Sequence, residues 1–455
     1  MSNILPNSLV RRLGSNPLFD QEAFLAAHES GEKLTSIRIN PKKETKLDFD
    51  LDTQVPWCKN GYYLESRPKF TLDPLFHAGC YYVQEASSMF IEHIIDFLKL
   101  SSEEIKALDV CAAPGGKSTL LNACLNQESL LVSNEIIKSR SIVLQENMMR
   151  WGYANVVVTN NDPSAFRRLP GFFDLVLVDA PCSGSGMFRK DEDSIDEWSE
   201  ANVKLCSERQ QRILSEILPS INSNGYLLYS TCSYSIEENE EILDWLINEY
   251  NLESIQVPLN SAWGIEETAS PKNKAFGYRF YPHKVKGEGF FIAALKMKNI
   301  QPSFSFKKMK FEKSPVPKDG LSPWVENMDE FSTLVHNENV HIFPKHLEAS
   351  IKALQQVLYL KNAGTMIGKW LGKELVPSHD LALSIHRNNT LPAVELNIDD
   401  AQNFLRKEQL DIEIFSSVKK GWCLVNYKGE SLGWVKVLGN RINNYYPKEV
   451  RIANL

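Results

Sequence analysis

From about residue 105 the chain repeats one pattern: a strand-length apolar run, a turn, then a helix-length stretch. The runs at 107–110, 130–132, 156–159, 174–178 and 226–230 are nearly continuous in apolar residues. Unbroken apolar runs mark strands buried on both faces, and strands joined through helices run parallel. Helices are predicted from Ser118 and around 208–218, and a closing strand pair at 280–282 and 290–296. The pattern specifies an α/β fold, one doubly wound domain over 96–298, whose ligands sit at the carboxyl ends of the strands.

The rest of the chain divides around that domain. Residues 1–95 mix short helical patterns with Tyr/Pro-rich connections, and 299–378 open on a basic stretch containing Lys307, Lys308, Lys310, Lys313 and Lys318. That stretch reads as a linker leading into an intermediate region. From 379 a small, mostly β module follows, with β-like runs at 422–427 and 433–437.

Net charge is −7, a poor advertisement for a nucleic-acid partner, yet residues 301–455 carry +3 and residues 1–300 carry −10. Six acids of the first part crowd into 191–200, read as a solvated helical entry. Charge therefore leaves RNA open. No run approaches the roughly 20 apolar residues of a membrane span, and the N-terminal segment lacks a secretory pattern, so a cytoplasmic protein is expected. The eight cysteines, 58, 80, 111, 124, 182, 206, 232 and 423, form no zinc-spaced set. Reduced thiols and no metal are expected.

The first strand runs into Asp109-Val-Cys-Ala-Ala-Pro-Gly-Gly-Lys117-Ser-Thr, a tight turn and a helix start with Ser118 or Thr119 available as cap. Gly115 and Gly116 let backbone approach a nucleotide-like ligand, although neither P-loop nor dinucleotide spacing is present. Glu135 ends the second strand 20 residues beyond Gly115, where such folds hold a ribose. Asp162 follows the third strand, within reach of an adenine amino group, and Asp179 ends the fourth.

Asp179-Ala-Pro-Cys182 follows the fourth strand and Ser230-Thr-Cys232 the fifth. Adjacent parallel strands lie about 4.8 Å apart, so two thiols share one crevice. Methylation of a pyrimidine at carbon 5 needs a thiolate that first adds to carbon 6, and an acid beside the ring nitrogen, here Asp179. Either thiol fits the nucleophile's role. A free cysteine is only a few per cent thiolate at neutral pH, so a cation or a helix N-terminus must favour ionisation.

These motifs, with Tyr229-Ser-Thr-Cys-Ser-Tyr-Ser-Ile-Glu-Glu-Asn-Glu240, resemble the Nop/Sun family of RNA cytosine-5 methyltransferases. The segments His77 to Met89 and Tyr281-Pro-His283 before Gly287-Glu-Gly-Phe-Phe291 are similar to further family segments. The resemblance implies a Rossmann-like class I methyltransferase core with S-adenosylmethionine as cofactor. It assigns attack to Cys232 and help in product release to Cys182. Contacts to S-adenosylmethionine fall to Cys111, Ala112, Ala113, Pro114, Gly115, Gly116, Lys117, Glu135, Asp162 and Asp179. The C-terminal stretch from Leu432 to Glu449 is similar to the PUA-like module of the bacterial RsmF branch, which implies small-subunit (16S) ribosomal RNA as substrate and partner. Its Trp434, Lys436, Arg441, Tyr445 and Tyr446 are candidates for RNA contact. A monomer is expected. Competing readings are a transfer-RNA cytosine-5 methyltransferase and a non-catalytic ribosome-assembly factor. A DNA enzyme using the Pro-Cys thiol would leave Cys232 without a role.

Overall fold

A computed structural model of the chain describes residues 5–16, 19–43, 45–302, 304–305, 316–336 and 338–452. Near the N-terminus three short strands, β1 (Thr35–Ile39), β2 (Gly61–Leu64) and β3 (Tyr81–Val83), form an antiparallel sheet with β1 central. The helix Phe90–Phe97 follows and packs Phe90, Ile91 and Ile94 into the core of the large sheet described next, so the expected boundary at 95 falls inside an element of that core.

The core strands are β4 (Lys106–Asp109), β5 (Leu130–Asn134), β6 (Val156–Thr159), β7 (Phe173–Asp179) and β8 (Ile221–Thr231). They run parallel in the order β8-β7-β4-β5-β6. Successive residues face opposite sides. Ala107, Leu131, Leu175, Leu177 and Leu228 pack against Phe90, Ile94, Leu120 and Leu121. Leu108, Val132, Val157, Val176 and Leu227 pack against Phe166, Ile213, Leu214 and Leu243. Two apolar faces are why these strands read as unbroken runs.

Beyond β8 lie β9 (Leu252–Ile255), β10 (Glu266–Ala269), β11 (Phe276–Phe280) and β12 (Phe290–Met297). They extend the sheet antiparallel, which makes it mixed rather than purely parallel. The expected strand at 280–282 is shifted: Tyr278 and Phe280 pair with Ile292 and Phe290, and Tyr281-Pro282 leave the ladder, Pro having no N–H to give it. The expected helix around 208–218 is the longer Glu200–Ile217, capped by Ser199, whose hydroxyl accepts from Asn202 N at 3.1 Å. Before it, the helix Asp193–Glu197 lies in the acidic run, all six of whose acids are exposed.

Residues Lys307, Lys308, Lys310 and Lys313 lie outside the described residues. From 316 onward the end of the stretch read as a linker and the intermediate region after it are folded. β13 (Phe331–His336), β14 (Asn339–Pro344), β16 (Thr365–Leu371) and β17 (Glu374–Pro377) make a third sheet. Between them β15 (Leu360–Ala363) crosses to the core and pairs antiparallel with β6. The helix Glu348–Val357 buries Ile351 and Leu354 in the core's second face.

The C-terminal module contains β18 (Ala393–Glu395), β19 (Gly421–Tyr427), β20 (Glu430–Val437), β21 (Ile442–Asn444) and the helix Ile398–Arg406. It is not an independent appendage. Ile37 and Tyr81 of the first sheet and Leu75 of the short helix Pro74–His77 share one core with Phe404, Cys423, Val435 and Tyr446. The two ends of the chain thus close on each other.

Candidate active site

The turn after β4 is built by its neighbours. Val110 N donates to Leu177 O at 3.0 Å and Ala112 N to Asn134 O at 2.8 Å, which carries the backbone across the ends of β7 and β5. Gly115 has φ of 118°, a conformation only glycine adopts freely, and there the chain swings into the helix Gly116–Cys124. Arg140 donates to Ala113 O and Asn147 to Pro114 O, both at 2.7 Å. The turn's carbonyls are thereby held by side chains, while the helix N-terminus carries no side-chain cap.

Ser118 and Thr119 do not cap. Because the helix begins at Gly116 they fall within it: Ser118 Oγ donates to Asp109 Oδ2 at 2.7 Å, and Thr119 Oγ1 bonds back to Gly115 O at 2.8 Å. Thr119 also accepts from Arg38 at 2.6 Å, and Arg38 donates to Gln84 Oε1 at 2.9 Å. Arg38 is fully buried and stacks 4.6 Å over Trp151. This buttress of the cofactor turn had no signal in local sequence, since it joins residues 81 positions apart.

Glu135 is buried at the end of β5, where Oε1 accepts from Ile137 N at 2.9 Å and Oε2 lies 3.7 Å from Arg140. Asn160 Nδ2, from the loop after β6, donates to Glu135 O at 2.5 Å. Asp162 is exposed and its Oδ1 accepts from Ser164 N at 2.9 Å, a local cap whose hydrogen bonds from Ser164 hold the carboxyl below its ordinary range. The uncapped helix N-terminus can donate to a carboxylate, and the buried Glu135 carboxylate can accept from hydroxyls such as those of a ribose.

The two thiols meet. Asp179 pairs in register with Ser230, and Ala180 N donates to Ser230 O at 2.8 Å, so the loops leave β7 and β8 side by side. Cys182 Sγ and Cys232 Sγ are 3.0 Å apart. Gly186 N donates to Cys232 O at 2.7 Å, and a Cβ on Gly186 would come within 2.8 Å of that oxygen and 2.5 Å of Gly289 O. The Cys182 thiol is held well above its ordinary range, first by its hydrogen bond with Cys232 and then by burial.

Lys117 and Asp179 complete the crevice. Lys117 Nζ donates to Asp179 Oδ2 and Ser230 Oγ to Asp179 Oδ1, each at 2.8 Å. Burial alone would depress the Lys117 ammonium, but Asp179, Asp109 and the Cys232 sulfur outweigh it and raise it. Cys111 is part-buried, and burial pushes its thiol up. Thus Cys182, Cys232, Asp179 and Lys117 form one cluster, Glu135 lies two strands from Asp179, and Asp162 stands at the third strand's loop in contact with its own turn.

The C-terminal candidates separate. Trp434 and Tyr446 are each 2% exposed, and Trp434 Nε1 donates to Ser378 O at 2.7 Å. Both are core residues: Trp434, on β20, packs its ring against Trp324 and Trp422, and Tyr446, beyond β21, packs against Phe404 and His379. Arg441 and Tyr445 are exposed; Lys436 is part-exposed and lies 5.1 Å over the Trp422 ring. Among the described residues no group of three or more His, Cys, Asp and Glu could hold a metal ion, and no helix is long and apolar enough to cross a membrane.

The sequence matches three family models: 16S rRNA methyltransferase RsmB/F over 95–296, the N-terminal domain of 16S rRNA methyltransferase RsmF over 5–86, and the methyltransferase RsmF PUA domain over 391–452. It is 32% identical to the ribosomal RNA small subunit methyltransferase F of Aeromonas salmonicida, covering 92% of this chain and 91% of that protein. It is 31% identical to the protein of the same name from Vibrio parahaemolyticus, covering 92% of each. Among solved structures, a methyltransferase homolog protein from Pyrococcus horikoshii aligns with a TM-score of 0.52 at 27% identity, over 64% of this chain and 100% of that one. NSun6 from Pyrococcus horikoshii, solved with SFG, shares the fold at a TM-score of 0.54 and 18% identity, over 66% of this chain and 100% of that one.

Proposed function

Because this chain belongs to the 16S rRNA methyltransferase RsmB/F family, we propose that it methylates carbon 5 of a cytosine in 16S ribosomal RNA, using S-adenosylmethionine. The observation that carries this reading is the thiol pair at 3.0 Å beside the Lys117–Asp179 ion pair.

Carbon 5 of cytosine is a poor nucleophile until a group adds to carbon 6. Cys232 is that group, and the Lys117 ammonium, kept charged against burial by Asp179, Asp109 and the Cys232 sulfur, is the cation of the cluster. Addition forms the Sγ–C6 bond and shifts ring electrons toward carbon 5 and the ring nitrogen. Asp179 meets that nitrogen through a proton shared between them, which the nitrogen takes up as the electrons arrive and returns when Cys232 leaves, while Lys117 and Ser230 hold the carboxyl in place. Cys111, Ala112, Ala113, Pro114, Gly115, Gly116 and Lys117 would hold S-adenosylmethionine, with Glu135 for its ribose and Asp162 for its adenine, and the cofactor when bound would supply an electrophilic methyl group.

Release requires that carbon 5 lose its proton as the Sγ–C6 bond breaks. Cys182 serves this step. Its thiol is held high chiefly by the hydrogen bond to Cys232. With Cys232 bonded to carbon 6, Cys182 gives its own proton to solvent, its thiolate takes the carbon 5 proton, and the C–H electron pair forms the C5–C6 double bond as Cys232 leaves as thiolate.

The target cytosine must be unpaired or extruded, since carbon 6 is inaccessible within a stacked duplex. Both cysteines, the cofactor turn and Glu135 come from one chain, which supports a monomer as the acting unit, and ribosomal RNA as substrate implies the cytoplasm. The test is transfer of labelled methyl from S-adenosylmethionine to 16S ribosomal RNA by the purified protein, with bisulfite sequencing of the product. A single resistant cytosine is expected; label on transfer RNA alone would overturn the substrate.

A further inference from the structure

Glu238 is completely buried one 3-10 turn beyond Cys232, and its carboxylate gathers donors from both cysteine loops. Ser183, next in sequence to Cys182, gives Oε1 its backbone N–H at 2.8 Å and Oε2 its hydroxyl at 2.5 Å. Ser233, next to Cys232, gives the same Oε2 its hydroxyl at 2.5 Å. The two serine oxygens are 3.2 Å apart. Gln210 Nε2 reaches Oε1 at 3.2 Å and also Pro181 O at 3.1 Å, and the Tyr229 hydroxyl donates to Glu238 O at 2.6 Å.

The residue after each thiol therefore ends on one carboxylate, and the thiols themselves stand 3.0 Å apart. We propose that Glu238 is a positioning residue that clamps the Pro-Cys loop to the Thr-Cys loop and so fixes the distance between the attacking and the releasing sulfur. This rests on reading Cys232 and Cys182 as the reacting pair. A carboxylate suits the position because it is acceptor-only, and every group aimed at it is a donor. Burial raises the Glu238 carboxyl, while the hydrogen bonds from Ser183, Ser233 and Gln210 pull it back toward the ionised form. A glutamine of equal size would set its own N–H groups against those of Ser183 or Gln210.

The test uses the full chain carrying Glu238→Gln, with Ser183→Ala and Ser233→Ala as milder variants that each remove one hydroxyl from the clamp. Diamide, an azo oxidant that takes up the two thiol hydrogens, converts neighbouring thiols to a disulfide, and peptide mass mapping reads the Cys182–Cys232 bond without RNA. Wild type should form it fastest. Glu238→Gln, with melting temperature and S-adenosylmethionine binding retained, should form it about tenfold more slowly and lose about tenfold in kcat, with KM for RNA within about twofold. The serine variants should fall between. Wild-type disulfide rate and kcat in folded Glu238→Gln would overturn the proposal. If that variant does not fold, unchanged disulfide rates in both serine variants overturn it. Should wild type fail to methylate RNA, slower disulfide formation in the variants would still support the clamp, and only the reaction assigned to the pair would fall.

Discussion

Lys117 Nζ and Asp179 Oδ2 meet at 2.8 Å across the ends of two adjacent strands, one residue leaving the cofactor turn and the other preceding the cysteine loop. In the proposed reaction the pair supplies the cation of the cysteine cluster and orients the Asp179 carboxyl, so removing it should affect the rate more than the fold.

Lys117→Met, which keeps the chain length and loses the charge, should lower kcat by about 100-fold or more while leaving the melting temperature within a few degrees, because an activated nucleophile and an oriented acid are both lost. Single-turnover methyl transfer measures it. A decrease confined to KM for S-adenosylmethionine would make Lys117 a cofactor ligand only.

Glu135→Ala should weaken S-adenosylmethionine binding by about 1.5–3 kcal/mol, the worth of a charge-assisted hydrogen bond to ribose. Calorimetric titration reads this directly. Unchanged affinity in the folded variant removes Glu135 from the site.

The strands of the core were legible because each is buried on two faces, which writes an unbroken apolar run, and the motifs follow them immediately. Hence β4 to β8, the cofactor turn and both cysteine loops could be located in advance. Other features were silent for physical reasons. β15 is a half-exposed edge strand, Leu360–Ala363, with one buried residue, so it carries no run to find. Ser118 and Thr119 look like caps only if the helix start is misplaced by two residues. Glu238 and Arg38 act through partners brought near by the fold, not by spacing. Trp434 and Tyr446 sit in a run where surface aromatics and core aromatics look alike.

That last distinction has a measurable consequence. Trp434→Ala should destabilise the protein by about 3–5 kcal/mol, as loss of a buried tryptophan does, with no separate effect on RNA affinity in the folded fraction. Arg441→Ala, at an exposed position, should leave stability unchanged and reduce the salt slope of RNA binding by about 1. Filter binding over a salt series distinguishes the two. Truncation of the module would not, because it would strip the core shared by Ile37, Tyr81, Phe404 and Val435.

The same junction should be sensitive to acid. Burial pushes His77 down to about 4, and burial followed by His77, Lys43 and Arg150 pushes His379 down to about 3. Both rings lie against Tyr446. In the unfolded chain each protonates near 6.5, so the unfolded state binds protons first as pH falls. Stability from these groups is complete above about 6.5 and is lost as pH falls toward about 4, at roughly 1.4 kcal/mol per group per pH unit. Melting temperature should drop between pH 7 and 5, and His379→Gln should flatten the drop. An unchanged slope in that variant would assign the acid sensitivity elsewhere.

The covalent chemistry of the thiol pair is tested most directly by incubating Cys182→Ala and Cys232→Ala proteins with 16S ribosomal RNA and S-adenosylmethionine and resolving the products on a denaturing gel. In Cys182→Ala attack and methylation lack no group, but the thiol that receives the carbon 5 proton is gone. A protein–RNA conjugate should accumulate, dependent on S-adenosylmethionine, while Cys232→Ala yields neither methylation nor conjugate. Conjugate in Cys232→Ala and none in Cys182→Ala would exchange the two roles, and full activity in both variants would contradict a covalent mechanism.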